Sequence, residues 1–419
     1  MHILWLKNEL LHPLDKGGRI RTYEMLRRLR DHHRVTYIAL DDHTSTEEQR
    51  ASALEYCDEL VLVPWRDAPL AGARRGAAIL ANVFSPLPFA VSPYRAKAMT
   101  DAIRARCGTQ AGADRADVVV CDFLIPALNV PEGLPCPVVL FQHNVEAMIW
   151  ERRTKVASNP VLKAYMGEQW RRMKRLEREQ CLRFDHVVAV SPEDAAVFRE
   201  QYGVRNVSSV PTGVDTDFFR PSGIVAQRSA NIVFTGSMDW MPNEDGMAWF
   251  VDEILPTIRR EVPDATLTIV GRRPSAKVRA LAEGRPYVTI TGTVPDVRPF
   301  LEEAAVVVVP LRIGGGTRIK IYEAMGMERA VVSTTIGAEG LDVRDGEHIL
   351  LADDPSSFAA SLVSLLRDPA RAAAIGQSAA SQVRTHFGWA SVAEQFAERC
   401  SAAAASASRR PIPAMSMSS

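Results

Sequence analysis

Short runs of β-branched and apolar residues recur along the chain between longer amphipathic stretches, and they form two successive series. The first series is His2–Leu6, Val35–Leu40, Glu59–Val63, Val118–Cys121, Val138–Gln142 and His186–Val190. The second is Ile232–Thr235, Thr266–Val270, Val288–Thr291, Val306–Val309, Ala330–Ser333 and His348–Leu351. A strand buried on both faces reads as a continuous hydrophobic run, and such strands belong to parallel sheets covered by helices on each side. Two series therefore predict an α/β fold of two doubly wound, Rossmann-like domains facing a cleft. The length of 419 residues suits two cores of about 200 residues better than one.

Proline and glycine in Val210-Pro211-Thr212-Gly213 punctuate a loop after the first series. The expected division is a first domain over 1–210 and a second over 211–388. After the turn Phe387-Gly388-Trp389, a helix over 389–400 is expected to pack back on the first domain. The Ala/Ser-rich stretch 401–419, with Pro411 and Pro413, reads as a disordered tail.

Fifty basic residues balance fifty acidic ones, which argues against general nucleic-acid binding, where phosphates demand a basic excess. The six cysteines form no CxxC pair and no Cys/His cluster with zinc spacing, so they read as reduced core residues of a cytoplasmic protein. The start, Met1-His2-Ile3-Leu4-Trp5-Leu6-Lys7, reads as a buried strand rather than a signal peptide. No apolar stretch reaches the ~20 residues of a membrane span.

The motif with most chemical content is Pro310-Leu311-Arg312-Ile313-Gly314-Gly315-Gly316-Thr317-Arg318-Ile319-Lys320-Ile321-Tyr322-Glu323. A glycine-rich turn after a strand opens a helix here. Glycines let backbone amides approach an anion, and a helix N-terminus carries unpaired N–H groups with a partial positive charge. Arg318 and Lys320 add two cations where cations are otherwise unfavourable, which implies an anionic ligand such as a diphosphate. Glu323, further along, suits ribose hydroxyls. Other strand ends carry weaker signals: Gly17-Gly18 with Arg19 and Arg21 after the first strand, and Gln142-His143-Asn144 after the fifth. The second half adds Gly236 to Asn243 after its first strand, Arg272, and the turn Gly292-Thr293-Val294. The GxGxxG spacing of a nicotinamide site is missing at Gly17-Gly18.

Taken together, these turns resemble the GT-B glycosyltransferases, and among them the retaining family 4 group. The likeness spans nearly the whole chain and is most specific in Gly236, Gly271, Gly292 and Glu323, which fall in the family's order. It implies that Glu323 binds ribose, Val294 the base, and Gly17 and Gly18 the donor phosphates, with His143 near the transferred sugar. Asn144, Asn243, Arg272, Gly315, Gly316 and Thr317 join the expected donor site, and His143, Arg318, Lys320 and Glu323 the catalytic set. Two departures stand out. The family's first glutamate would fall at Gly315, and its Arg and Lys after the glycine matching Gly236 are Ser237 and Pro242 here. Arg318 and Lys320 are therefore expected to take over the diphosphate. The Gly-Gly-Gly-Thr-Arg-Ile-Lys pattern looks like a subgroup tied to bacterial exopolysaccharide synthesis.

The expected chemistry is sugar transfer from a nucleotide diphosphate sugar to a glycan or lipid-linked acceptor with retention. No metal or cofactor is expected, because no Asp-x-Asp site is evident at a strand end and protein cations can stabilise the leaving group. A basic stretch over 152–183 and a second over 66–97, with interspersed apolar residues, suggest peripheral docking at the inner membrane face. Two rival readings share the same site: a sugar-nucleotide epimerase using Glu146, and a non-catalytic sugar-nucleotide-binding protein.

Overall fold

Val306-Val307-Val308-Val309 shows why these runs become interior strands. Val306 and Val308 join one hydrophobic cluster, Val307 and Val309 another, and all four are at most 1% exposed. Successive strand side chains point to opposite faces, so helices must cover both. Each such valine contributes about 1.5–3 kcal/mol by leaving water. The computed structural model describes residues 1–14, 16–65, 78–79, 81–82, 84–108, 115–156, 159–313 and 319–407.

The chain divides into two units, Met1–Val210 with Val392–Ser419, and Pro211–Ser391. The first unit holds strands β1 (His2–Lys7), β2 (Arg34–Asp41), β3 (Glu59–Pro64), β4 (Val118–Asp122), β5 (Val138–Phe141), β6 (His186–Ala189) and β7 (Val207–Ser209). They form one parallel sheet in the order β3-β2-β1-β4-β5-β6-β7. The second holds β8 (Asn231–Thr235), β9 (Thr266–Val270), β10 (Val288–Gly292), β11 (Val306–Val309), β12 (Val331–Ser333) and β13 (Leu350–Leu351). These are parallel too, in the order β10-β9-β8-β11-β12-β13. Strand order reverses between β1 and β4 and between β8 and β11. In open α/β sheets ligands bind beyond the carboxyl ends of the strands at such reversals.

Several strand bounds shift by a residue, with Gln142 and Val190 falling outside β5 and β6, and other local expectations need correction too. β7 was not foreseen, because Val207-Ser208-Ser209 is short and mostly polar and pairs only with β6. β1 and β4 each run one residue further than expected, and that extra residue is Lys7 in one and Asp122 in the other. Ala330, His348 and Ile349 lie outside β12 and β13. The last helix is Trp389–Ala407, so 401–407 is helical rather than disordered; 408–419 lies outside the described residues. From Val392 on, that helix groups with the first unit, where Phe396 packs on Trp5 at 5.5 Å and on Phe141 at 4.8 Å between ring centroids. All six cysteines are buried free thiols, and all six fall in the first unit. No helix among the described residues is long and apolar enough to cross a membrane.

Candidate active site

In the first unit the register pairs Leu6 with Cys121, so Lys7 and Asp122 end β1 and β4 side by side at the point of reversal. Both are at most 1% exposed. Lys7 Nζ lies 2.7 Å from Asp122 Oδ2, which also accepts from Thr22 Oγ1 at 2.6 Å and Trp5 Nε1 at 3.1 Å. His143 Nε2 lies 2.7 Å from the other oxygen, Oδ1. Burial works against ionisation of Asp122. Lys7 and His143, with their hydrogen bonds, outweigh it and hold the carboxyl well below the usual range. Burial lowers the His143 imidazole to about 3 against the pull of Asp122, so the ring is neutral at physiological pH. The 2.7 Å approach to a carboxylate favours the tautomer with its proton on Nε2, which leaves Nδ1 as an acceptor. The next residue, Phe123, has a φ of 75°, a left-handed conformation that costs a bulky side chain about 1–3 kcal/mol. Its ring stacks on His143 with centroids 3.9 Å apart and planes 23° apart. Gly18 gives that ring room, since a Cβ there would approach Phe123 Cζ to 3.2 Å.

The helix Gly17–Arg30 begins at the glycine pair, so Gly17 and Gly18 lie within its first turn. The amides of Arg19 and Ile20 bond back to the Lys16 carbonyl, which leaves those of Gly17 and Gly18 as the ones without intrahelical acceptors. The cations expected beside them have other duties. Arg19 Nε donates to Glu9 at 3.0 Å. Arg21 is buried over the Phe141 ring, donates to the Val210 carbonyl at 3.2 Å, and is lowered by burial to about 9. Asn144 hydrogen-bonds the Glu146 carboxyl.

In the second unit Gly236 follows β8. A Cβ on it would sit 2.5 Å from Lys320 Nζ and 2.8 Å from Asn243 Nδ2, so only glycine leaves room for both. Lys320, on the helix Ile319–Gly326, donates to Asn243 Oδ1 at 3.2 Å and lies 4.3 Å from the Phe234 ring centroid. Asn243 is 2% exposed and donates to the Ser237 carbonyl at 2.7 Å; Arg272 Nε donates to Ser237 Oγ at 2.9 Å. A Cβ on Gly271 would fall 1.7 Å from the Gly236 carbonyl oxygen, which fixes glycine there. Burial raises Glu323 to about 7, with Lys320 opposing. Val294 follows β10 and packs against the core. Gly315, Gly316, Thr317 and Arg318 lie outside the described residues.

Two family models cover most of the chain: Glycosyltransferase Family 4 over residues 16–218 and Glycosyl transferases group 1 over residues 229–368. The chain belongs to the family 4-like glycosyltransferases of GT-B fold. Sucrose-phosphate synthase from Thermosynechococcus elongatus has a TM-score of 0.70 at 17% identity, covering 97% of this chain and 100% of its own. Anabaena HepE in complex with UDP-glucose has a TM-score of 0.66 at 14% identity, covering 96% and 100%. At such identities the likeness is one of fold. Among curated relatives, an uncharacterised 44.6 kDa protein in the cps region of Klebsiella pneumoniae is 28% identical over 144 residues, 32% of this chain. The lipopolysaccharide core biosynthesis mannosyltransferase LpcC of Rhizobium leguminosarum bv. viciae is 24% identical over 221 residues, 49% of this chain. The matched stretches span only 37% and 61% of those relatives' own lengths.

Within this glycosyltransferase the structure brings Gly236, Asn243, Arg272 and Lys320 together at one strand end, and His143 close to Gly18 through Phe123. It adds residues that sequence reading missed: Lys7, Thr22, Asp122 and Phe123 around His143, and Glu177 behind it. The one local signal was the placement of Lys7 and Asp122 at the ends of apolar runs. In the basic stretch 152–183 one cation and one anion leave the surface. Arg172 is buried on Asn82 and pairs with Glu168, while Glu177 is fully buried. Among the described residues no group of three His, Cys, Asp or Glu has a metal-holding arrangement.

Proposed function

We propose that this glycosyltransferase moves a sugar from a nucleotide diphosphate sugar to a glycan or lipid-linked acceptor, with retention at the anomeric carbon and without a metal cofactor. The observation that carries the reading is Lys320, whose ammonium is seated above Gly236 between Asn243 and the Phe234 ring at the start of a helix. A fixed cation beside helix-terminal amides is the arrangement that stabilises a departing diphosphate. In this reading Arg318, Gly315, Gly316 and Thr317 complete the diphosphate cradle, with Asn243 and Arg272 bordering it. Glu323 accepts from ribose, the Val294 backbone reads the base, and Gly17 and Gly18 offer amides to phosphate. His143 Nδ1 and Asn144 attend the transferred sugar. The bond from C1 to the diphosphate oxygen breaks as the acceptor oxygen bonds to C1 on the same face. The acceptor proton passes to the departing phosphate oxygen.

The Anabaena structure with UDP-glucose supports a nucleotide-sugar donor, and the cps and lipopolysaccharide contexts of the relatives support a bacterial surface polysaccharide as product. The exposed cations Lys163, Arg171, Lys174, Arg175 and Arg178 along the helix Pro160–Arg183, with exposed Val161 and Leu162 in its first turn, support docking on an anionic inner leaflet. Labelled UDP- and GDP-sugars test the activity: one should be hydrolysed slowly with retained configuration, at the same rate in EDTA. Lys320→Ala should weaken nucleotide binding 10- to 100-fold, as expected for a hydrogen bond to a charged group of about 1.5–3 kcal/mol. Wild-type binding in Lys320→Ala would refute the site. Cosedimentation with anionic vesicles that is lost at high salt tests the docking.

A further inference from the structure

A cavity of about 230 Å³ opens in the first unit beside Phe123. The helix Glu146–Val156 turns Glu146, Ile149, Trp150 and Arg153 into it. Those positions are i, i+3, i+4 and i+7, a single stripe of one helix face. A stripe like this ordinarily packs into a core. Here one edge of the stripe does so, with Trp150 packed against the cluster of Val91, Leu124, Met173 and Leu176, but the same face also brings a carboxyl and a guanidinium to the cavity, a mixture ill suited to a core. It suits a sugar ring, whose C–H face lies on an aromatic surface while its hydroxyls need charged or polar partners. Arg153 lies 5.5 Å from the Trp150 ring centroid, so cation and platform are held together.

The helix is anchored before any ligand arrives. The buried Glu177 carboxyl accepts from the amides of Glu146 at 2.7 Å and Ala147 at 3.1 Å, and also from Gln142 Nε2 at 3.0 Å and Tyr202 Oη at 2.8 Å. This fixes the first turn, and with it the direction of Glu146. Burial also raises the Glu146 carboxyl, with Asn144 and Arg153 opposing. The cavity is smaller than the ~300–1,000 Å³ of sites for drug-sized ligands, which suits a single ring. Phe123 is shared: it helps line the cavity and stacks on His143 at 3.9 Å. A ring held here lies one aromatic side chain away from the histidine that attends the transferred sugar.

We propose that this cavity is a saccharide subsite for the acceptor, with Trp150 as its platform and Glu146 and Arg153 as hydroxyl partners. The word acceptor rests on the glycosyl-transfer reading; saccharide binding itself does not. The full-length protein is titrated with methyl α- and β-glycosides of glucose, galactose, mannose and N-acetylglucosamine, followed by tryptophan fluorescence and calorimetry. Wild type should bind at least one of them saturably. Trp150→Ala and Glu146→Gln should each weaken that binding 10-fold or more, Trp150→Phe less, with folding confirmed by circular dichroism. All three should keep the wild-type thermal shift with UDP or GDP. The proposal fails if no glycoside binds wild type, or if binding persists unchanged in Trp150→Ala and Glu146→Gln. It also fails if Trp150→Ala lowers only the melting temperature, which marks a packing role. Glycoside binding without any nucleotide shift would instead overturn the donor reading and leave the saccharide site standing.

Discussion

Asp122 concentrates the chemistry of the first unit on one carboxylate. It neutralises Lys7, accepts from Thr22 and Trp5, and fixes the proton position of His143. Removing one partner of a buried pair leaves the other charge uncompensated, so Asp122→Asn should cost about 3–5 kcal/mol in urea unfolding. Lys7→Met added to Asp122→Asn should recover more than half of it. Glu323 gives a pH prediction. Its carboxyl, raised to about 7, must ionise to accept from ribose in full, so affinity for a nucleotide sugar should rise as pH rises through 7. Glu323→Gln should flatten that rise in calorimetry. The same shift has the opposite sign for stability. The folded state holds this proton more tightly than the unfolded chain, so the benefit is complete below about 4.5 and is lost as pH rises through about 7. The partnership of Lys7 with Asp122 could not be read from the sequence, because 115 residues separate them and only the crossover between β1 and β4 makes them neighbours. His143, by contrast, lies two residues past the end of β5, and that place at a strand end was legible from position alone.

The site depends on close approaches between elements. Gly271 is tighter than Gly236, because its Cβ would strike a backbone oxygen at 1.7 Å rather than the tip of a flexible lysine. Gly271→Ala should therefore lower stability by about 1–3 kcal/mol or more, and Gly236→Ala less, in thermal unfolding. Gly236→Ala should act chiefly on nucleotide binding, by displacing Lys320. The helix Glu146–Val156 owes its first turn to Glu177, so Glu177→Ala should speed amide exchange at Glu146 and Ala147 and cost about 1–3 kcal/mol. The order of glycines along the second half was legible because each follows an apolar run. Glu177 was not: within a basic helix it reads as a surface counter-charge, and only the packing of Gln142 and Tyr202 around it reveals a buried cap.

At the scale of the whole molecule, both parallel sheets were legible because each interior strand is encoded locally by an unbroken apolar run. The edge strand β7 was not, since an edge needs little hydrophobicity. The last helix completes the first unit through Phe396, which covers Trp5 and Phe141 on the sheet face that carries Lys7 and Asp122. Phe396→Ala should cost that unit about 3–5 kcal/mol, measured as a lower midpoint of its urea transition. The thiols supply the means to see that transition separately. Every cysteine is shielded in the first unit and none occurs in the second. A colourless thiol reagent added to the native protein thus keeps time for one half of the chain only, and each modified sulfur records an opening event there. Loosening of the second unit leaves that clock silent.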